Sequence, residues 1–255
     1  MNNKFFISDF HFGTDGQIDP IKLSDFEFFC EKNLSDDNEL YILGDFFDFW
    51  IEYKNFVQAE FAEIYTILTN AKKRGVKIFI VRGNHDFFRG NFFQNLGFSV
   101  FDNEVKFEQN GKKILCIHGD AVAGNSSYLL MKSVFRSSVF QFLYKMLPFN
   151  SALCFAQYLS GLSRKKNRRS ENQDSRKAKY RTLAFNFAEK ENCDILIMGH
   201  SHIPDLTASA NKIYANCGAW LENPTFIVLE ENKIQLKEFR GKNKENIVLQ
   251  EISLN

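Results

Sequence analysis

Short apolar, β-branched runs recur along the chain, and each stops at a glycine or a polar residue: KFFIS (4–8), ELYILG (39–44), VKIFIV (76–81), KKILCIH (112–118) and CDILIMGH (193–200). Runs of this length with little alternation read as strands buried on both faces. Between them, 21–33 and 56–74 carry helical spacing, and the second closes in KKRG, with cations in its last turn and a glycine just past it. From 212 to 239 the pattern becomes KIYANCG, TFIVLE and KIQLKEF, alternating strands with Asn, Gly and Pro between them. The expectation is an α/β chain, a layered α/β/α sandwich with mixed β-sheets, forming a single domain over 1–255.

One stretch breaks the rhythm. Residues 139–162 carry a single charge, Lys145, and 163–181 then carry nine Lys or Arg against two acids. This shift marks an inserted helical cap over about 124–191. It is a poor membrane span, because Lys145, Pro148, Asn150 and Gln157 interrupt an apolar run that is barely long enough. The amino terminus, MNNKFFISDF, has an apolar run of five residues or fewer before Asp9 and reads as a strand rather than a signal.

Composition narrows the function classes. A formal net charge of +1 provides no global field to recruit nucleic acid. Five cysteines without CxxC spacing argue against a disulfide framework and a structural zinc site, and the reducing cytoplasm fits best.

The chemistry lies where the strands end. All five histidines, His11, His85, His118, His200 and His202, follow apolar runs, in SDFHFG, GNHDFF, IHGDA and GHSHIP. A lone histidine there is usually an ordinary loop or core residue; five out of five is a pattern. Asp9, Asp45, Asp48 and Asn84 accompany them. Residues i and i+2 of a strand share a side, so Asp9 with His11, and His200 with His202, are each expected to converge on one target. Imidazole with carboxylate suits Mn²⁺, Fe²⁺ or Zn²⁺. Asp9, His11, Asp45, Asn84, His118, His200 and His202 are too many ligands for one tetrahedral ion with an open position. With Asp45 shared they suit two ions about 3.5–4 Å apart, the spacing of two-metal hydrolytic sites. The expected reaction class is phosphoester or phosphoanhydride hydrolysis. Asp48 is expected to orient a ligand histidine, with a solvated turn as the alternative.

DFH, GDFFD, GNHD, HGD and GHSH, in this order over residues 9 to 202, resemble the calcineurin-like metallophosphoesterase signature. The resemblance implies a dinuclear centre, Mn²⁺ being the expected ion. Asp9, His11, Asp45 and His202 would hold one ion, and Asp45, Asn84, His118 and His200 the other. It also implies His85 as proton donor to the leaving group, oriented by Asp86, and tight turns at Gly44, Gly83, Gly119 and Gly199.

Within that superfamily, LYILGDFFDFWIEY, GNHDFFRG, IHGDAV, the insertion and ANCGAWLENPTFIVLE are similar to the UDP-2,3-diacylglucosamine hydrolase family of lipid A biosynthesis, over nearly the whole chain. The resemblance implies cleavage of the substrate's pyrophosphate to UMP and 2,3-diacylglucosamine 1-phosphate. Apolar surface from 139–162 and cations from 163–181 would meet the acyl chains and the phosphates. Asn84, Tyr128, Arg136, Arg164, Ser170, Asn172, Lys177 and His200 are the expected substrate contacts. The expected location is cytoplasmic and peripheral, on the inner membrane, with the cations toward anionic headgroups. Many members of that family carry Arg where His85 stands here. That departure keeps a nucleotide or other phosphodiester open as substrate; a separate alternative is a non-catalytic scaffold, although such scaffolds usually lose metal ligands and all seven positions here hold competent ones.

Overall fold

The computed structural model describes residues 3–14, 17–50, 52, 57–86, 90–124, 126–148, 151, 154, 172–220, 222–242 and 244–254. Two mixed sheets pack face to face between helical layers. The first has seven strands in the order β12-β11-β10-β1-β2-β3-β4. In it β1 (Lys4–Ile7), β2 (Glu39–Leu43), β3 (Lys77–Val81) and β4 (Ser99–Phe101) run parallel, while β10 (Thr225–Leu229), β11 (Lys233–Glu238) and β12 (Ile247–Ser253) add an antiparallel flank. The second has the order β5-β6-β7-β9-β8. Here β6 (Lys112–Ile117), β7 (Ile195–Met198) and β9 (Lys212–Asn216) run parallel, with β5 (Glu104–Gln109) and β8 (Asp205–Ser209) antiparallel at the edges.

Strand alternation splits the core into layers. Phe6, Tyr41, Leu43 and Val81 from the first sheet meet Ile114, Cys116, Ile195, Ile197 and Ala215 from the second in the central layer. Phe5, Ile7, Leu40, Ile42, Ile78 and Ile80 face the other way, onto α1 (Pro20–Asn33) and α2 (Ala62–Lys73). The α1 start is fixed by Asp19, whose carboxylate accepts from Ile21 N, and by Pro20 in the first turn. The α2 end is fixed by Lys72 and Lys73 in its last turn and by Gly75 at φ 98°.

Four strands have no counterpart in the five apolar runs and the tail: β4, β5, β8 and β12. A short helix, α3 (Phe92–Asn95), lies between β3 and β4. Between β6 and β7 lie α4 (Asp120–Ala123), α5 (Ser126–Arg136), α6 (Ser138–Met146) and α7 (Gln173–Lys190). The later part of α7 closes the outer face of the second sheet, burying Ala184 and Ala188 against Leu115, Leu196, Met198 and Tyr214. Among the described residues, no helix is long and apolar enough to cross a membrane.

Candidate metal centre

Five loops, each leaving the carboxyl end of a parallel strand, meet at one edge of the sandwich. They carry Asp9 and His11 after β1, Asp45 and Asp48 after β2, Asn84 to Asp86 after β3, His118 and Asp120 after β6, and His200 and His202 after β7. Ligands of α/β sheets collect at this end.

The backbone is unusual at the expected ligands. Asp9, His11, Asp45, His200 and His202 have φ of 57, 47, 51, 64 and 59°, five of the nine left-handed non-glycine residues among those described. Such conformers cost about 1–3 kcal/mol each and persist where the surroundings over-determine them. Here the determining bonds run between loops: Asp9 N donates to Gly44 O (3.2 Å), His11 N to Asp45 O (3.0 Å) and His200 N to Asp9 Oδ2 (2.8 Å). Gly44, at φ 82°, lets the β2 and β3 loops touch, since a Cβ there would meet Gly83 Cα and His118 Nδ1 at 2.6 Å.

Among the described residues the side chains form three groups: one, His11 with Asp48 and His85, overlaps the first of the two that follow, and Asp45 lies between those two. Ligand atoms of Asp9, His11 and His202 lie within 4.8 Å of one another, as do those of Asp45, His118 and His200. Asp45 Oδ2 is 3.3 Å from His118 Nε2 and 3.9 Å from both His11 Nε2 and His85 Nε2. Asn84 Oδ1 is 3.0 Å from His118 Nε2, and His200 Nδ1 is 3.2 Å from the same nitrogen. A carbonyl only accepts, so the 2.8 Å contact of His118 Nδ1 with Leu43 O makes Nδ1 the donor and turns Nε2 inward.

Charge follows this geometry. Burial opposes ionisation of Asp9, but the hydrogen bond and charge of His202 hold its carboxyl below the usual range. Asp45 lies further below, burial again being outweighed, here by His118 and His85. In return, and against burial, Asp45 pushes His118 up to about 10 and Asp9 pushes His202 up to about 10. Burial and neighbouring positive charge push His11 down to about 3 and His200 down to about 4. Asp9 Oδ1 and both ring nitrogens of His11 are buried without a hydrogen-bond partner. Native interiors rarely leave such groups unmatched, and a divalent cation matches them. The all-oxygen-and-nitrogen donor set fits such an ion.

Several expectations change in detail. Asp9 and His11 do converge, with Phe10 and Phe12 turned into the aromatic core. His200 and His202 diverge, one to each group, because both lie beyond β7 in left-handed conformers where the strand i, i+2 rule no longer applies. His85 is not oriented through Asp86: its Nδ1 meets Asp48 O at 2.7 Å. The Asp86 side chain lies beneath the loop, Oδ2 accepting from Gly83 N (3.3 Å) and Phe46 N (3.4 Å), and burial with the nearby Asp45 charge pushes it up to about 6. Asp48 is buried, its carboxylate 3.7 Å from His11 Nδ1, which removes the solvated-turn alternative.

Of the expected substrate contacts, Asn84 and His200 lie in the centre. Arg136 is buried with its guanidinium on the protein's own acceptors: Asp102 O (2.6 Å), Asn103 Oδ1 (2.7 Å), Gly83 O (3.2 Å) and Arg82 O (3.4 Å). Lys177 pairs with buried Asp205 at 3.3 Å, and Asn172 caps α7 by accepting from Asp174 N. Tyr128 is on α5, its side chain outside the described residues, as are Arg164 and Ser170. Sequence reasoning missed two groups. Asp120, two residues past His118, is buried and paired with Lys132 at 2.7 Å, and Glu222 stands 3.8 Å from His202 Nδ1. The HGD motif was a signal for Asp120; Glu222 had none.

The chain resembles known proteins at two levels. It is 28% identical to the UDP-2,3-diacylglucosamine hydrolase of Proteus mirabilis (strain HI4320) over 249 residues, covering 92% of this chain and 98% of the relative. The enzyme of that name from Blochmanniella pennsylvanica (strain BPEN) is also 28% identical, over 258 residues, covering 92% and 95%. In fold, Vacuolar Protein Sorting 29 from Cryptosporidium parvum superposes with a TM-score of 0.51 at 17% identity, covering 99% of this chain and 98% of that one. The family model described as Calcineurin-like phosphoesterase matches residues 5–204. With its acid and imidazole groups gathered in one cradle, the chain is a metal-dependent phosphoester or phosphoanhydride hydrolase, and it belongs to the calcineurin-like phosphoesterase family.

Proposed function

We propose that the chain cleaves the pyrophosphate of UDP-2,3-diacylglucosamine to UMP and 2,3-diacylglucosamine 1-phosphate, using two divalent ions, Mn²⁺ foremost. One observation carries the reading: two carboxylate–imidazole groups lie side by side, with Asp45 Oδ2 3.3 Å from His118 Nε2 in one and 3.9 Å from His11 Nε2 in the other, in a chain whose near-full-length relatives bear that substrate's name. Asp9, His11, Asp45 and His202 would hold one ion, and Asp45, Asn84, His118 and His200 the other. When bound, such a pair supplies Lewis acidity and a water of lowered pKa.

The remaining steps belong to the chain. Leu43 O holds His118 with Nε2 inward, and Asp48 O does the same for His85. Asn84 and His200 are placed to meet phosphoryl oxygens as well as an ion. Water attacks the α-phosphorus in line, the bond to the bridging oxygen breaks, and the sugar 1-phosphate leaves carrying that oxygen. A phosphate leaving group needs little protonation, so His85 contributes little in this reaction. On α6, Val139, Phe142, Leu143 and Met146 expose apolar side chains, which supports seating beside acyl chains and peripheral attachment at the cytoplasmic face of the inner membrane.

A second reading, hydrolysis of a nucleotide or other phosphodiester, is favoured by His85 itself. With Nδ1 tied to Asp48 O, its Nε2 faces Asp45 Oδ2 at 3.9 Å and could protonate an alkoxide.

The test is product analysis in ¹⁸O-water with UDP-2,3-diacylglucosamine and Mn²⁺. Labelled UMP is expected. Label in the sugar phosphate would overturn attack at the α-phosphorus, and absence of UMP would overturn the substrate.

A further inference from the structure

The loops carrying the ligands are held from two sides, and the insertion supplies one of them. Arg136, the last residue of α5, is buried and donates to Arg82 O and Gly83 O, the two carbonyls just before Asn84. It also donates to Asp102 O and Asn103 Oδ1 beyond β4, so one guanidinium ties the β3 loop to its neighbour. One turn earlier on α5, Lys132 reaches buried Asp120, two residues past His118, at 2.7 Å. On α7, Arg176 donates to Ser201 O, between His200 and His202, at 3.2 Å.

These contacts divide unevenly between the two ligand groups. The loops gripped by α5 carry Asn84 and His118, on the side of Asp45 and His200; the β3 loop also carries His85, whose ring lies with His11 and Asp48. The loop gripped by Arg176 serves both groups. The β1 loop, with Asp9 and His11, is fixed instead from within the sandwich, by Phe10 stacked on Trp220 (4.6 Å between ring centroids) and by backbone bonds to the β2 loop.

We propose that Arg136 and Lys132 of α5 are positioning residues for one of the two ions, setting Asn84 and His118 at the distance from Asp45 and His200 that it requires. The proposal rests on the dinuclear reading above. Charged donors to backbone carbonyls and a buried ion pair give short, directional restraints. A guanidinium fork on adjacent carbonyls fixes loop direction, which an ammonium cannot reproduce. By linkage, anything that seats α5 more firmly tightens this ion, and the ion in turn seats α5.

The test is titration of chelator-stripped protein with Mn²⁺, followed by equilibrium dialysis and by the paramagnetic resonance signature of a coupled Mn²⁺ pair. Wild type is expected to bind two ions and show the coupled signal. Arg136→Met and Lys132→Met are expected to keep the first ion within about threefold and to weaken the second by about 10–100-fold, the range for groups that orient metal ligands. The coupled signal is then lost at two equivalents; thermal unfolding of the stripped protein moves to lower temperature, because buried Asp120 or the loop carbonyls lose a partner, while the tight ion of the folded variants is kept. Arg136→Lys should fall between, and Lys106→Met, which removes a cation paired with exposed Glu104, should change nothing. If Arg136→Met does not fold, Lys132→Met and Arg136→Lys carry the comparison. Folded variants with both ions unchanged, or with both weakened alike, would overturn the proposal alone. A wild type that binds fewer than two ions would overturn the dinuclear reading and this proposal together.

Discussion

The two halves of the cradle are built from different materials. Asp9 and His11 sit on a loop rooted in aromatic rings: Phe10 lies against Phe26, Phe46 and Trp220, and Phe12 against Phe26 and Phe46. Asn84 and His118 sit on loops rooted in hydrogen bonds and charge, with Leu43 O beneath the imidazole and α5 cations behind. Aromatic packing is non-directional and holds a loop as part of the core. Cations on carbonyls are directional and can be released when their helix shifts. The comparison sets aromatic core packing behind one half of the site and cation contacts from α5 behind the other. Asp45 Oδ2 lies within 3.9 Å of an imidazole in each.

Asp45→Asn therefore carries the largest expected effect. Losing the shared carboxylate should remove both ions and lower kcat/KM by at least about 10²–10³-fold; retention of two ions would dissolve the comparison. Next, His85→Ala should cost about 10²–10⁴-fold on an alkyl phosphodiester such as bis-p-nitrophenyl phosphate's alkyl analogues, and little on the sugar pyrophosphate. A uniform collapse on the lipid substrate would contradict the minor role assigned to His85 there. Asp48→Ala should weaken the ion on the His11 side by about 10–100-fold and spare the other, read by metal titration. This is the counterpart of the α5 variants and sharpens the same division.

pH separates the bound and stripped forms with opposite signs. His118 and His202 are raised to about 10, so each contributes stability to the ion-free fold that is fully present below its ordinary value of 6.5 and lost as pH rises through about 10. His11 and His200 are lowered to about 3 and about 4, so they withdraw stability as pH falls from 6.5 toward those values. An ion must displace the protons on His118 and His202, so Mn²⁺ affinity should rise with pH as the melting temperature of stripped protein falls. Calorimetric titration in buffers of different ionisation enthalpy checks the released protons. The smallest effect is expected at the surface: Phe142→Ser with Leu143→Ser should reduce binding to anionic vesicles without changing metal affinity.

Much of the scaffold could be read from hydrophobic runs because buried parallel strands leave an unbroken apolar signature. KFFI, ELYIL, KIFIV, KKILCI and ILIM all became strands, and the residues just beyond them met at one edge. β5 was less visible, since Glu104–Gln109 alternates with exposed charges; the Asn110-Gly111 turn after it, both residues at positive φ, was the usable signal. The split of His200 and His202 escapes the strand i, i+2 rule, because both lie beyond β7, but it matches the allotment that the family resemblance implies. Arg136, expected at the substrate because it follows HGD at nearly the family's spacing, has its guanidinium on Gly83 O and Asp102 O, contacts that only the fold displays.

The central claim is that two groups of side chains, joined at Asp45, each hold an ion. An anomalous difference map from crystals soaked in Mn²⁺ tests it most directly. The account predicts two peaks flanking the Asp45 carboxylate, one among Asp9, His11 and His202 and one among Asn84, His118 and His200. A single peak, or none within ligand distance of these imidazoles, would contradict it.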